Sequence, residues 1–127
     1  AKEMVPRAFK NAQIHYMAHP RHWVATLKPA NTDFVEAKDS SNIALIPRAM
    51  EVVRSIVQVH GDCYVEVKGD QTQPLGTVLC GDYSIAQVVE FLHPNGGTGQ
   101  KFDPNRIRQW LLACLRRGSF EPCPKLP

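Results

Sequence analysis

Pro47-Arg48-Ala49-Met50 opens a stretch that runs through Tyr64-Val65-Glu66-Val67-Lys68 to Ser84-Ile85-Ala86 and Leu92, passing through three periodicities without a break. Met50, Val53 and Val57 form a helical stripe, and Pro47 stands where a first-turn proline is tolerated. Gly61 ends that helix. Cys63-Tyr64-Val65-Glu66-Val67-Lys68 then alternates with period two, Gly69-Asp70 marks a turn, and Leu75 to Cys80 forms a second short apolar run. The pattern predicts a hairpin whose two arms lie within Cys63–Cys80. After Gly81-Asp82, Ser84 can cap a helix with Ile85, Val88, Val89 and Leu92 at i, i+3, i+4 and i+7.

Working outward, Asp103-Pro104 supplies an N-cap and first-turn proline for a last helix that ends at Gly118, with Ile107, Trp110, Leu111, Cys114 and Leu115 on one stripe. On the N-terminal side, Ala12 to Met17 and Trp23 to Leu27 alternate as strands around the turn-prone His19-Pro20-Arg21, and Asp33 to Ala37 suits a third. Lys38 to Asn42 follows as a polar loop. Pro94-Asn95-Gly96-Gly97-Thr98-Gly99-Gln100 is the one low-complexity stretch, predicted to be a mobile loop.

The stretches Tyr64-Val65-Glu66-Val67-Lys68-Gly69-Asp70, Pro74-Leu75-Gly76-Thr77-Val78-Leu79-Cys80-Gly81-Asp82 and Ser84 to Leu92 resemble the second half of the staphylococcal-nuclease-like domain. That domain is the OB-fold unit also found in Tudor-SN and extended Tudor proteins, and the likeness covers roughly Ile43 to Ser119. It implies an α+β fold, a small OB-type barrel of about five strands with three helices. The chain is then a single domain over 1–127: a strand-rich first half over 1–42, a helix-hairpin-helix-helix second half over 43–119, and a tail over 120–127. A competing assignment takes Val5-Pro6-Arg7-Ala8-Phe9 through Pro20 as the exit segment that follows the Tudor core in extended Tudor proteins.

Composition narrows the class. A chain of 127 residues with 43% hydrophobic content can bury a core without staples, and no apolar run approaches the roughly 18 to 20 residues that span a bilayer. Nor does the N-terminus carry the basic-then-apolar order of a signal peptide, so no membrane partner is expected. The cysteines at 63, 80, 114 and 123 include no C-x-x-C pair, and three lie within apolar stripes, which predicts buried thiols in the cytoplasm or nucleus rather than a zinc ribbon or disulfide framework. His15, His19 and His22 have helical ligand spacing, but Pro20 biases His19 away from helix, so no metal or other cofactor is expected. His60 and His93 fall at predicted helix ends, where a cation suits the terminal carbonyls.

Nuclease chemistry in the resembled family uses carboxylates that hold calcium, a glutamate near the attacking water, and two arginines that neutralise charge developing at phosphorus. One of those arginines belongs in the turn occupied here by Gln71-Thr72-Gln73-Pro74, and Gln73 takes its place. A neutral amide there costs about 10² to 10³ in rate. Asp33, Glu36 and Asp39 are present, but no arginine lies between Arg21 and Arg48. The resemblance therefore implies a domain that is not an enzyme.

What remains is binding. Candidate nucleic-acid contacts are Lys10, Arg21 and Lys28 beside Tyr16 and Trp23, Lys68 on the polar face of its strand, and Arg106, Arg108, Arg116 and Arg117 off the stripe of the last helix. Trp23 alternates with apolar Ala25 and Leu27, which favours its burial, whereas Tyr64 and Tyr83 suit exposed rings. Tyr16, Tyr64 and Tyr83 are the candidate partner contacts. Net charge is only +3, so a protein partner is favoured over single-stranded RNA or DNA, with an active calcium-dependent nuclease third. By resemblance the setting is an RNA-related complex such as those of RNA silencing.

Overall fold

A computed structural model of the chain describes residues 10–17, 22–32, 34–38, 40, 64–68, 71–74 and 77–127. The first helix expected after Pro47, with His60 and Cys63, lies outside the described residues, as do His19 and Arg21. The N-terminal alternation forms strands where it predicts them: β1 (Asn11–Met17), β2 (His22–Lys28) and β3 (Phe34–Lys38), with β4 (Tyr64–Lys68) at the charged alternating run. Residues 11–17 of the stretch considered as an exit segment form a strand of the sheet. The sheet order is β1-β2-β3-β4. β1 and β2 pair antiparallel from Asn11↔Lys28 to Met17↔His22, and β2 and β3 antiparallel with Leu27 opposite Glu36. Asn31 sits at a φ of 58° in the turn before β3, a left-handed conformation that asparagine tolerates, and Thr32 Oγ1 closes the turn by donating to the Pro29 carbonyl at 2.9 Å.

β4 departs from expectation. It joins β3 in parallel, Phe34↔Tyr64 through Lys38↔Lys68, instead of forming an antiparallel hairpin with the run ending at Cys80. Residues 77–79 are irregular, and Cys80 begins α1 (Cys80–Leu92). Local hydrogen bonding explains why. Thr77 Oγ1 donates to the Pro74 carbonyl at 2.7 Å, the Thr77 N–H reaches the same oxygen at 3.3 Å, and the Gln73 amide donates to the Thr77 carbonyl at 3.0 Å. These bonds from the Gln73 and Thr77 side chains and the Thr77 N–H use backbone groups of Pro74 and Thr77 that a strand ladder would need. The described residues form an α+β fold with an open four-stranded sheet and two helices, and no strand among them closes a five-stranded barrel.

α1 begins four residues before Ser84, which is therefore not its cap. The Ser84 hydroxyl donates to the Cys80 carbonyl at 2.8 Å inside the first turn. The helix is covered on two sides, by β1 and β2 and by the helix that follows, so Tyr83, Ala86 and Val89 are buried while Leu92 is half exposed. Asp103 does not cap the last helix either. Its carboxylate accepts the Asn105 N–H at 2.9 Å and its carbonyl the Arg106 N–H at 3.2 Å, a tight turn that delays α2 (Ile107–Arg117) by a few residues. Gly118 ends α2 as expected, at a φ of 74° with its N–H on the Cys114 carbonyl. Ile107, Trp110 and Cys114 of the expected stripe are buried, but Leu115 is 60% exposed.

One apolar cluster joins Tyr83, Ala86, Val89, Phe102, Ile107, Trp110, Cys114 and Cys123. The last residues are part of it rather than a loose tail. Cys123 is buried, Trp110 Nε1 donates to the Glu121 carbonyl at 2.8 Å, and Phe102 pairs with Lys125. Cys80, Cys114 and Cys123 are free thiols, and burial pushes the Cys123 thiol up to about 12. The glycine-rich loop is also tied. Glu90 Oε2 accepts the N–H groups of Gly97 at 2.6 Å and Thr98 at 3.1 Å, while its Oε1 accepts Lys125 Nζ at 2.7 Å. Burial pushes the Glu90 carboxyl up, and those donors overcome it and hold the group below its ordinary range. No helix among the described residues is long and apolar enough to cross a membrane.

Candidate binding cleft

The β1–β2 register sets Tyr16 directly across from Trp23. Their rings lie 4.8 Å apart between centroids at an interplanar angle of 51°, a tilted pair. Both remain open to solvent, Tyr16 at 49% and Trp23 at 40% exposure. Trp23 was expected in the core from its alternation with Ala25 and Leu27. In fact β2 is buried continuously from Val24 to Lys28, so burial no longer alternates and says nothing about the face of Trp23.

The start of α1 forms the facing wall. Gly81 comes close enough that a β-carbon there would sit 3.4 Å from Trp23 Cδ1, in ordinary contact. Thr77 and the highly exposed Val78 form a lip. From α2, Arg108 reaches across to Asp82, with Nε to Oδ2 at 3.1 Å and an NH2 nitrogen to Oδ1 at 3.0 Å. This fork satisfies a carboxylate whose side chain is only 9% exposed, and the hydrogen bonds and charge of Asp82 raise the guanidinium pKa further. These groups, with His22, Gln73 and Cys80, enclose a cleft of about 490 Å³. Its size is that of a small-molecule or side-chain pocket.

Gln73, in the lining of the cleft, is held by several hydrogen bonds. Its Oε1 accepts the Ser40 hydroxyl at 2.6 Å, its backbone N–H donates to the Ser40 carbonyl at 2.8 Å, and its amide nitrogen holds Thr77. This side chain braces the chain and contributes no charge to the cleft. Gln71 does comparable work one turn away, donating to the Gln100 carbonyl at 2.7 Å and accepting the Phe102 N–H at 2.9 Å. Apart from the Gln73–Thr77 bonds, these contacts are not signalled by sequence spacing, because the partners lie 29 to 33 residues away.

The expected contact residues are scattered. Lys10 is exposed, yet its Nζ donates to the Phe91 carbonyl at 2.8 Å and sits 4.9 Å from the centre of the Phe91 ring. Lys28 is buried in β2 and points its Nζ at the Pro29 carbonyl, so it is not a surface cation. Tyr83, expected exposed, is buried against Phe102 at 5.9 Å because the helix containing it starts earlier and is covered on two sides. The backbones of Tyr64 and Lys68 lie in β4, and Arg21 is outside the described residues. Arg106 precedes α2, and Arg116 and Arg117 end it. Arg108 belongs to the cleft, so the single basic face expected on this helix is divided. His15 and His22 lie on neighbouring strands. His15 Nε2 is 2.9 Å from Thr26 Oγ1, and burial pushes the imidazole pKa down, which keeps the ring neutral. Among the described residues, no group of three or more His, Cys, Asp or Glu side chains could hold a metal ion.

Comparison with protein-family models, with curated proteins and with solved structures finds no match to this chain.

Proposed function

We propose that the chain is a non-catalytic interaction module of the staphylococcal-nuclease-like, OB-related kind, which binds a protein partner through the Tyr16–Trp23 cleft. The observation that carries this is the exposed aromatic pair at the mouth of a cavity whose only described ion pair, Asp82–Arg108, is already matched internally. Large, rigid aromatic rings with few rotatable bonds are the commonest anchors of protein interfaces. A cleft with a neutral balance suits an apolar or aromatic side chain of a partner ringed by polar contacts. The setting of that partner, by resemblance, is an RNA-related complex such as those of RNA silencing.

Stacking of bases on the same two rings is the competing interpretation, and salt distinguishes them. Binding to an oligonucleotide would weaken steeply as log salt rises, whereas an apolar protein contact responds little. The test is partner capture from nuclease-treated extract, compared between the parent chain and Trp23→Ala and Tyr16→Ala variants. Loss of about tenfold or more in affinity with either variant, at nearly unchanged melting temperature, is the expected result. Capture indifferent to both substitutions would refute the assignment.

A further inference from the structure

The end of α2 carries a short exposed sequence that meets the apolar cluster only at its edge, through the Phe120 ring beside Trp110 and an Arg117 NH2 nitrogen 3.7 Å from Cys114 Sγ. Arg116 and Arg117 form its last turn, Gly118 leaves the helix with a φ of 74°, and Ser119 and Phe120 follow in irregular chain. All five are exposed, Phe120 at 40% while still touching Trp110 edgewise. Among the described residues the other serines, Ser40 and Ser84, are buried and hydrogen-bonded.

The arrangement around Ser119 is chemically specific. Two guanidinium groups stand three and two residues before the hydroxyl, an apolar ring stands immediately after it, and a glycine joins them. Arginine forks suit carboxylates lining a substrate groove, and charge pattern is how kinases discriminate among substrates. Laying residues 116–120 into such a groove gives up the Gly118 and Ser119 N–H bonds to the Cys114 carbonyl and the Phe120–Trp110 contact, while Gly118 becomes extended without steric penalty. We infer that Ser119 is a phosphorylation site for a serine/threonine kinase with an acidic substrate groove.

In the transfer, Ser119 Oγ bonds to the γ-phosphorus of Mg-ATP, the bond from that phosphorus to the bridging oxygen breaks, and ADP leaves. The hydroxyl proton passes to the catalytic-loop aspartate of the kinase. The added group carries a charge of about −1.5 to −2 and would stand at the negative end of the α2 dipole, a position that favours cations. Arg116 and Arg117 are the groups able to compensate it. Modification therefore cancels the positive charge at this end of the helix.

The experiment treats the full folded chain with Mg-ATP and the catalytic subunit of cyclic-AMP-dependent protein kinase, followed by mass spectrometry of the digested product. One phosphoryl group on Ser119 is expected, absent in Ser119→Ala. The Arg116→Ala/Arg117→Ala variant should be modified with kcat/KM lower by about tenfold or more. Circular dichroism before the assay establishes that each variant is folded. The inference is overturned if Ser119 stays unmodified in the folded chain, if it is labelled only after denaturation, or if removing both arginines leaves the rate unchanged.

Discussion

The sheet and the C-terminal block of α1, glycine-rich loop, α2 and final residues are held together by different means. The block is built around one apolar cluster, its loop fastened by Glu90 and its end by Lys125. The sheet meets it through α1, which packs on β1 and β2, and residues 71–74 are tied in by side-chain amides, Gln73 on Ser40 and Thr77, and Gln71 on Gln100 and Phe102. An apolar cluster tolerates small displacements, whereas a buried amide works only when each partner is in place. The aromatic cleft lies on the border of the two, with Trp23 from the sheet and Asp82 and Arg108 from the helices. Its shape thus depends on both kinds of bonding.

That contrast can be broken from the block side first. Phe102→Ala removes a fully buried ring that touches Tyr83 and underlies Lys125, and should cost about 3–5 kcal/mol, read as a fall in the urea midpoint. A loss below about 1 kcal/mol would mean that the cluster is not where stability resides. Next comes Gly96→Ala. A β-carbon there would lie 2.1 Å from the Glu90 carbonyl oxygen, so the backbone must shift, at about 1–3 kcal/mol, measurable by thermal melting.

Acid titration sharpens the comparison because the two regions carry titrating groups shifted in separate pH ranges. Glu90 is held below its ordinary value of 4.5, so the unfolded chain takes up its proton first, and the stability it gives is present above that pH and lost as pH falls below it. Glu90→Gln should flatten this limb at a cost near 1.5 kcal/mol at neutral pH. His15 is also pushed down, from 6.5, so the unfolded chain again binds the proton more readily, and stability present above pH 6.5 is lost as pH falls below it. Hydrogen exchange should therefore show β1 and β2 loosening at a higher pH than α1 and α2. The smallest effect belongs to Thr26→Val, which removes the hydroxyl partner of His15 and should cost about 1 kcal/mol by equilibrium unfolding. Simultaneous loosening of both regions across the titration would erase the distinction.

The same division governs what the amino-acid sequence made legible. β1 and β4 were visible because apolar residues alternate there with polar ones, β2 and β3 as short runs with β-branched and aromatic residues, and Gly118 marked the end of α2 because a left-handed residue is needed at that point. The partner of β4 was not visible, since strand pairing is a long-range choice and the bonds that compete with a ladder at Pro74 and Thr77 come from side chains. Tyr16, named as a candidate partner contact, has an exposed ring, while Trp23, expected in the core, is open to solvent and Tyr83, expected exposed, sinks into the cluster. Asp82 gave no sign of its importance, because its partner Arg108 lies 26 residues further on.

The parallel pairing of Phe34–Lys38 with Tyr64–Lys68 has a consequence in time. A ribosome finishes the first three strands well before the fourth emerges, and the long intervening connection must close before that ladder can form. Strands already synthesised would wait with one edge bare, inviting association between nascent copies. Refolding from denaturant should accordingly form α1 and α2 early and the β3–β4 ladder late, with yields that fall as concentration rises.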